Sequence, residues 1–340
     1  KRTAWIHLSF NIIGTVVFLS LFVLCNWLVP GLSAFTAGYA VNPVSVAAIH
    51  TVYKILCALL LAPFPGVLEK IASLIIPNKK GEAERFELLD ERLLDTPSVA
   101  VERCRSVEEK MAVLSMNIMK KALGLFFKYE SSAAEEVVAG EAEADVYEDK
   151  LGTYMVKASA KSMSVTDSQE LSKLLHLIGD FERISDHAVN VKESVEEMLD
   201  KKITFSDAAT GELTVIIRAV ERILDMSLEA FIKNDISIAA KVEPLEQVID
   251  FLTAEVKKRH IDRLRAGGCT IELGFVLNDL LTNLERISDH CSNIAVCIIE
   301  IEKNSFDTHE YLSEIKENHQ QQFEDYFQWY MEEYTLPKQN

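Results

Sequence analysis

Two apolar patterns divide the chain. Residues 4–29 run without a charged side chain, and a second apolar run covers Val44 to Leu61 behind Pro43. Roughly 20 such residues cross a bilayer core, so both runs predict membrane helices. From Pro97 onward apolar residues recur instead at three and four positions, between acidic ones, which is the mark of amphipathic helices. The pattern predicts helices over 98–128, 131–160, 167–200, 207–233, 236–265, 270–303 and 309–334. Thr166 with Gln169 forms a capping box, and Ser206, Asp235 and Thr270 stand at later starts. Helices of about 30 residues are roughly 45 Å long, and short connections between them make bundles. The last one, rich in Tyr and Phe with Trp329 near its end, either packs on the bundle or meets a partner.

Charge sharpens the division. No Asp, Glu, Lys or Arg occurs from Thr3 to Tyr53, and residues 1–80 hold six basic residues and one acid, against a net charge of −17 for the whole chain. A nucleic-acid binder would need a basic face, and 49% hydrophobic residues exclude a disordered chain. Lys1-Arg2 before the first apolar run and Lys79-Lys80 after the second put both ends on the cytoplasmic side. A multi-pass protein of the cell membrane with its acidic helical part in the cytoplasm is expected. Residues 66–76 read as a shorter interfacial or partly inserted helix, and the start on Lys reads as a fragment of a longer protein or a processed one. The six cysteines show no paired spacing, so neither a disulfide framework nor a CxxC zinc site is suggested. Asn11, His50, Thr51 and Lys54 lie within the apolar runs, either as a substrate site or as hydrogen-bonding groups between helices.

The acidic part contains a repeat. Glu182-Arg-Ile-Ser-Asp-His187 recurs letter for letter as Glu285-Arg-Ile-Ser-Asp-His290, 103 positions later, and Asn190 matches Asn293. One helix earlier, Asp145-x-x-x-Asp149-x-Leu151 is aligned with Glu246-x-x-x-Asp250-x-Leu252, at an offset of 101. Two three-helix units in tandem follow, at 98–200 and 207–303.

Residues four apart lie one above the other on a helix face. The pairs Asp145/Asp149, Glu182/Asp186, Glu246/Asp250 and Glu285/Asp289 therefore form four acidic ladders. Like charges at this spacing destabilise a helix unless something positive sits between them. Any single ladder in so acidic a chain is an ordinary solvated face. Duplication in register points to converging carboxylates that bind cations, and all-oxygen ligands suit Mg²⁺, Mn²⁺ or iron. His187 and His290 turn about 100° off the carboxylate face, as packing residues or as ligands. A carboxylate-bridged di-iron enzyme needs Glu-x-x-His, whereas here the histidine falls five residues after the glutamate. No catalytic residues are expected.

These motifs, above all Glu182-Arg-Ile-Ser-Asp-His-Ala-Val-Asn190, resemble those of PhoU proteins over about residues 98–303. The resemblance implies two three-helix bundles, a role in regulating phosphate uptake, and a multinuclear metal cluster, commonly iron or zinc, on each bundle's motif pair. Phe10-Asn11-Ile12-Ile13-Gly14-Thr15 and Val46-Ala47-Ala48-Ile49-His50-Thr51 are similar to bacterial sodium/phosphate cotransporters, many of which carry a PhoU-like domain behind a linker like Leu93-Leu94-Asp95-Thr96-Pro97. That likeness implies phosphate as substrate and Na⁺ as coupling ion, with Asn11, Gly14, Thr15, His50 and Thr51 completing a transport site. The family's glutamine- and serine-rich motifs are missing, so the chain corresponds to the end of the transporter; Tyr53-Lys54 also departs from the usual aromatic-Asn.

The expected protein is thus all-α: two transmembrane helices in 1–80, a linker over 81–97, PhoU-like bundles over 98–303 and a final helix in 304–340. Its expected function is sodium-dependent phosphate symport with a metal-binding regulatory domain, or membrane-tethered signalling without transport. Expected contacts are phosphate, sodium, membrane lipid, and a second copy or regulatory protein.

Overall fold

In a computed structural model the described residues are 2–28, 43–61, 89–302 and 320–338, and they are helical without strands. The chain divides into two units, Lys1–Arg85 and Phe86–Asn340.

The first unit holds α1 (Arg2–Leu28) and α2 (Pro43–Leu61). Of the two expected spans, Phe10–Leu28 of α1 is long and apolar enough to cross a membrane, whereas the apolar part of α2 is the shorter His50–Leu60. The helices meet where Gly14 lets Cys57 approach closely; a Cβ on Gly14 would overlap the Cys57 sulfur. Thr15 Oγ1 and the Tyr53 hydroxyl are 2.9 Å apart, and Lys54 Nζ donates to Asn11 Oδ1. The amide thus partly satisfies the ammonium within an apolar pair. Asn11, Gly14 and Thr15 thus lie where α1 meets α2. Thr51 donates back to the Ala47 carbonyl, and the exposed His50 lies beside the Tyr53 ring. The expected interfacial helix at 66–76 lies outside the described residues.

The second unit opens with a short 3-10 turn, Glu91–Asp95, inside the expected linker, where Leu94 is buried. The first bundle is α3 (Pro97–Phe127), α4 (Ser131–Ser159) and α5 (Val165–Lys201). Pro97 pre-sets the backbone for the first turn of α3, where its missing N–H costs nothing. The expected capping box at Thr166 is not formed. Ser164 caps α5 instead, its Oγ accepting from the Asp167 amide at 3.0 Å. The second bundle is α6 (Asp207–Lys233), a short α7 (Ile236–Ala239), α8 (Val242–Arg265) and α9 (Ile271–Glu302). The expected continuous helix over 236–265 is broken at Ala240-Lys241. Pro244 has no N–H to bond to Ala240, so a new helix begins in its place. Ser206, Asp235 and Thr270 cap as expected.

A final helix, α10 (Gln320–Glu333), packs on α8. Tyr330 is buried within it and stacks on Tyr334, while the Pro337 carbonyl accepts from Arg259 at 2.7 Å. The apolar stripes of both bundles merge into one core, from Met111, Leu151 and Leu177 to Ile216, Ile249 and Leu284. The bundles join along α5 and α9 and through α3 on α6, and the Phe181 ring of α5 lies 5.0 Å from the Phe231 ring of α6. Arg105 donates to the Phe231 carbonyl and Lys173 to the Asn234 side chain. Two cations of the first bundle thus sit at the negative end of the α6 dipole.

Candidate metal centre

Each bundle turns acidic side chains of two neighbouring helices toward each other. In the first, carboxylate oxygens of Glu141 and Asp145 on α4 and Asp186 on α5 all lie within 4.8 Å of one another. In the second, Glu246 and Asp250 on α8 and Asp289 on α9 do the same. The pairing of helices is the expected one. The register on α4 is not: Glu141, absent from the sequence reading, joins the group, and Asp149 lies beyond it. Asp149 instead borders a shallow hollow with Leu89, Glu91, Tyr154 and Lys157. The equivalent pairs are therefore Glu141-x-x-x-Asp145 and Glu246-x-x-x-Asp250, at an offset of 105, with buried Tyr147 in the place of buried Leu252.

Glu182 and Glu285 stand one turn before the clustered aspartates. Burial, then Asp186, pushes the Glu182 carboxyl up to about 7, with Glu148 and Asp145 adding to it. Glu285 is occupied differently: its Oε2 accepts from Lys257 Nζ at 3.0 Å. Burial, then Glu243, Asp250 and Asp289, holds Glu246 up to about 9. Burial, then Glu285 and Asp289, holds Asp250 up to about 6. Asp145 and Asp289 are also raised, each chiefly by burial. In each of these groups burial disfavours the charged form first, and neighbouring carboxylates add to it. The nearby arginines are rim groups: Arg183 and Arg286 are more than half exposed and stand 3.7 Å from Asp186 and 3.3 Å from Asp289.

The donor set fits a hard or borderline cation. It is all oxygen, and Asp250 Oδ1 is buried without a hydrogen-bond partner. A cation held by Glu141, Asp145 and Asp186, or by Glu246, Asp250 and Asp289, would offset the burial of these carboxylates and the repulsion between them. Glu243 accepts from Ser292 on α9, which ties α8 to α9 beside the second cluster.

The repeated histidines leave the carboxylate faces and meet across the joint between α5 and α9. Their ring centroids are 5.7 Å apart.

Comparison with known proteins gives this arrangement a family. The PhoU domain model matches residues 109–195 and again 213–298, one match per bundle. A phosphate-specific transport system accessory protein PhoU homolog 1 of Thermotoga maritima is 27% identical over 129 residues, 38% of this chain. The match spans 55% of that protein, so the chain covers about half its length. A PhoU homolog of Xylella fastidiosa with the same description is 25% identical over 189 residues, 55% of this chain and 78% of that protein. Among solved structures, PhoU from Pseudomonas aeruginosa shares the fold with a TM-score of 0.56 at 19% identity, covering 62% of this chain and 99% of that one. The phosphate transport system regulatory protein PhoU from Streptococcus pneumoniae gives 0.54 at 17%, covering 63% and 99%. With both bundles matched, and the matches together spanning just over half of the sequence, the chain belongs to the PhoU domain family.

Proposed function

We propose that this chain is a metal-loaded regulator of phosphate uptake, attached to the cell membrane through its N-terminal unit. The observation that carries the reading is the pair of equivalent carboxylate clusters, Glu141/Asp145/Asp186 and Glu246/Asp250/Asp289. Each is a site for divalent or iron-type ions, which neutralise the acids and cross-link two helices of a bundle. The relatives described as accessory proteins of phosphate-specific transport supply the process. The apolar stretch Phe10–Leu28 supplies the membrane attachment.

The finer reading is that the N-terminal unit is the closing part of a sodium-dependent phosphate symporter, gated by the metal-loaded bundles from the cytoplasm. It is supported by the likeness of the segments around Asn11-Ile12-Ile13-Gly14-Thr15 and His50-Thr51 to such transporters. In this reading Lys54, hydrogen-bonded to Asn11, fills a position where the transporters have a neutral side chain. Uptake of labelled phosphate in cells expressing the intact protein, with and without sodium, tests it. The Asp250→Asn variant should change how uptake responds to external phosphate. Uptake indifferent to sodium rejects the symport reading and leaves the tethered regulator; uptake and regulation indifferent to Asp250→Asn reject the gating role.

A further inference from the structure

The two copies of the hexapeptide end in histidines, and neither belongs to a carboxylate cluster. Both are fixed in the same way. His290 on α9 places Nδ1 2.9 Å from Asp180 Oδ1 on α5, and His187 on α5 places Nδ1 2.8 Å from Asn283 Oδ1 on α9. Asp180 and Asn283 are 103 positions apart, as the histidines are, so one contact is the repeat image of the other.

These contacts decide which ring nitrogen carries the proton. Asp180 is an acceptor, so His290 Nδ1 is the donor; Asn293 Nδ2 approaches the same Asp180 oxygen at 3.3 Å and reinforces its role. The Asn283 amide cannot be turned around, because its Nδ2 already donates to the Asp279 carbonyl at 2.8 Å. Its oxygen therefore faces His187, and Nδ1 donates there too. On each neutral ring this leaves Nε2 with a free lone pair. An imidazole whose Nδ1–H is held by a carboxylate or amide oxygen is the usual second-sphere arrangement of a metal-binding histidine.

Spacing agrees. With a metal–nitrogen bond of about 2.0 Å, an ion lies about 3.2 Å from the ring centroid, so two imidazoles on one ion have centroids roughly 4.5 to 6.4 Å apart. The observed separation is 5.7 Å, at an interplanar angle of 35°. The His290 side chain keeps 19% of its surface exposed, so a hydrated ion can reach the rings and water can fill the remaining positions.

We propose that His187 and His290 form a bis-imidazole site for a late first-row divalent ion of the zinc, nickel or copper class, bridging the two bundles. It differs in kind from the all-oxygen clusters, because imidazole selects borderline metals that carboxylates do not favour. Its place on α5 and α9 lets a bound ion pin one bundle to the other. The oxygen clusters instead link helices within a bundle.

Copper(II) is the probe. The full chain in detergent, stripped with a chelator and given one equivalent of Cu²⁺, is examined by electron paramagnetic resonance and spin-echo modulation. The expected spectrum carries modulation from the remote nitrogens of two imidazoles. His187→Gln and His290→Gln should each reduce it to at most one, and Asp180→Ala should weaken binding about tenfold by freeing the His290 ring. Asp250→Asn, which cripples an oxygen cluster, should leave the two-imidazole signal intact. Oxygen-only coordination in the parent protein overturns the site without recourse to any variant. So does a two-imidazole signal that survives either histidine substitution.

Discussion

Glu141 and Asp186 bring carboxylate oxygens within 4.8 Å of each other from two different helices, α4 and α5. The contact fixes the register of the first cluster one helical turn earlier than the run of acids on α4 suggests. It also makes Glu141, rather than Asp149, the partner of Asp145. Glu141→Gln should therefore lower the metal bound by the purified full chain, and Asp145→Asn and Asp186→Asn should do the same. Asp149→Asn should leave metal content unchanged. Elemental analysis after dialysis against a weak chelator reads the difference, and equal losses from Glu141→Gln and Asp149→Asn would reject this register.

The difference in register has a physical source. α4 carries acids at 141, 143, 145, 148 and 149, so the four-residue spacing is satisfied twice on one helix, and Leu151 matched Leu252 at the wrong offset. Burial does not separate the alternatives, since Tyr147 and Leu151 both lie in the core as Leu252 does. What separates them is that Glu141 and Asp145 reach Asp186, and an aromatic in place of a leucine leaves the sequence no visible match. The ladders on α5 and α9 were legible because six identical letters leave no choice of register. The helices themselves were legible from their three-four periodicity. The break before α8 was missed although Pro244 announced it, since apolar spacing continues smoothly across Ala240-Lys241. The meeting of His187 with His290 depends on how two bundles pack, which no pattern within one helix encodes.

Gly140 is a position where α4 lies close on α3. A Cβ there would overlap Ile118 Cγ2, a branch held by a stiff χ1 in its own helix. Alanine normally favours a helix over glycine by about 1 kcal/mol, but overpacking costs about 1–3 kcal/mol, so the clash should win. Gly140→Ala should lower the denaturant midpoint, and adding Ile118→Ala should restore part of the loss. A Gly140→Ala protein as stable as the parent would show that the helices part without cost.

Glu212 is buried on α6 and receives Arg259 at 3.3 Å and Arg263 at 2.8 Å, both from α8. Glu212→Ala leaves two guanidinium groups facing each other over the lost carboxylate. Breaking such a pair costs about 3–5 kcal/mol, and the arginines, 15% and 20% exposed, recover part of this from water. Arg259 also holds the Pro337 carbonyl, so the C-terminal segment should loosen with it. Equilibrium denaturation and hydrogen exchange at residues 330–338 check both effects; a fall in stability with no change in exchange there would uncouple the tail from Glu212.

Glu108 makes the pH prediction. It is fully buried on α3, and neither carboxylate oxygen has a hydrogen-bond partner. Burial, then Glu170, holds its pKa well above the usual carboxylate range, against the pull of Lys173 and Arg105. In the unfolded chain the same group ionises near 4.3. Between that pH and its folded value the native state keeps a proton that the unfolded state has lost. Stability therefore falls as pH rises through this window, by at most about 1.4 kcal/mol per pH unit for one group. Glu108→Gln has the shape of the protonated side chain and nothing to ionise. It should match the parent near pH 4 and exceed it increasingly above pH 5, with the metal content held equal by chelation in both proteins. Parallel stability curves for parent and variant from pH 5 to 8 would mean that Lys173 and Arg105 already keep Glu108 charged in the core.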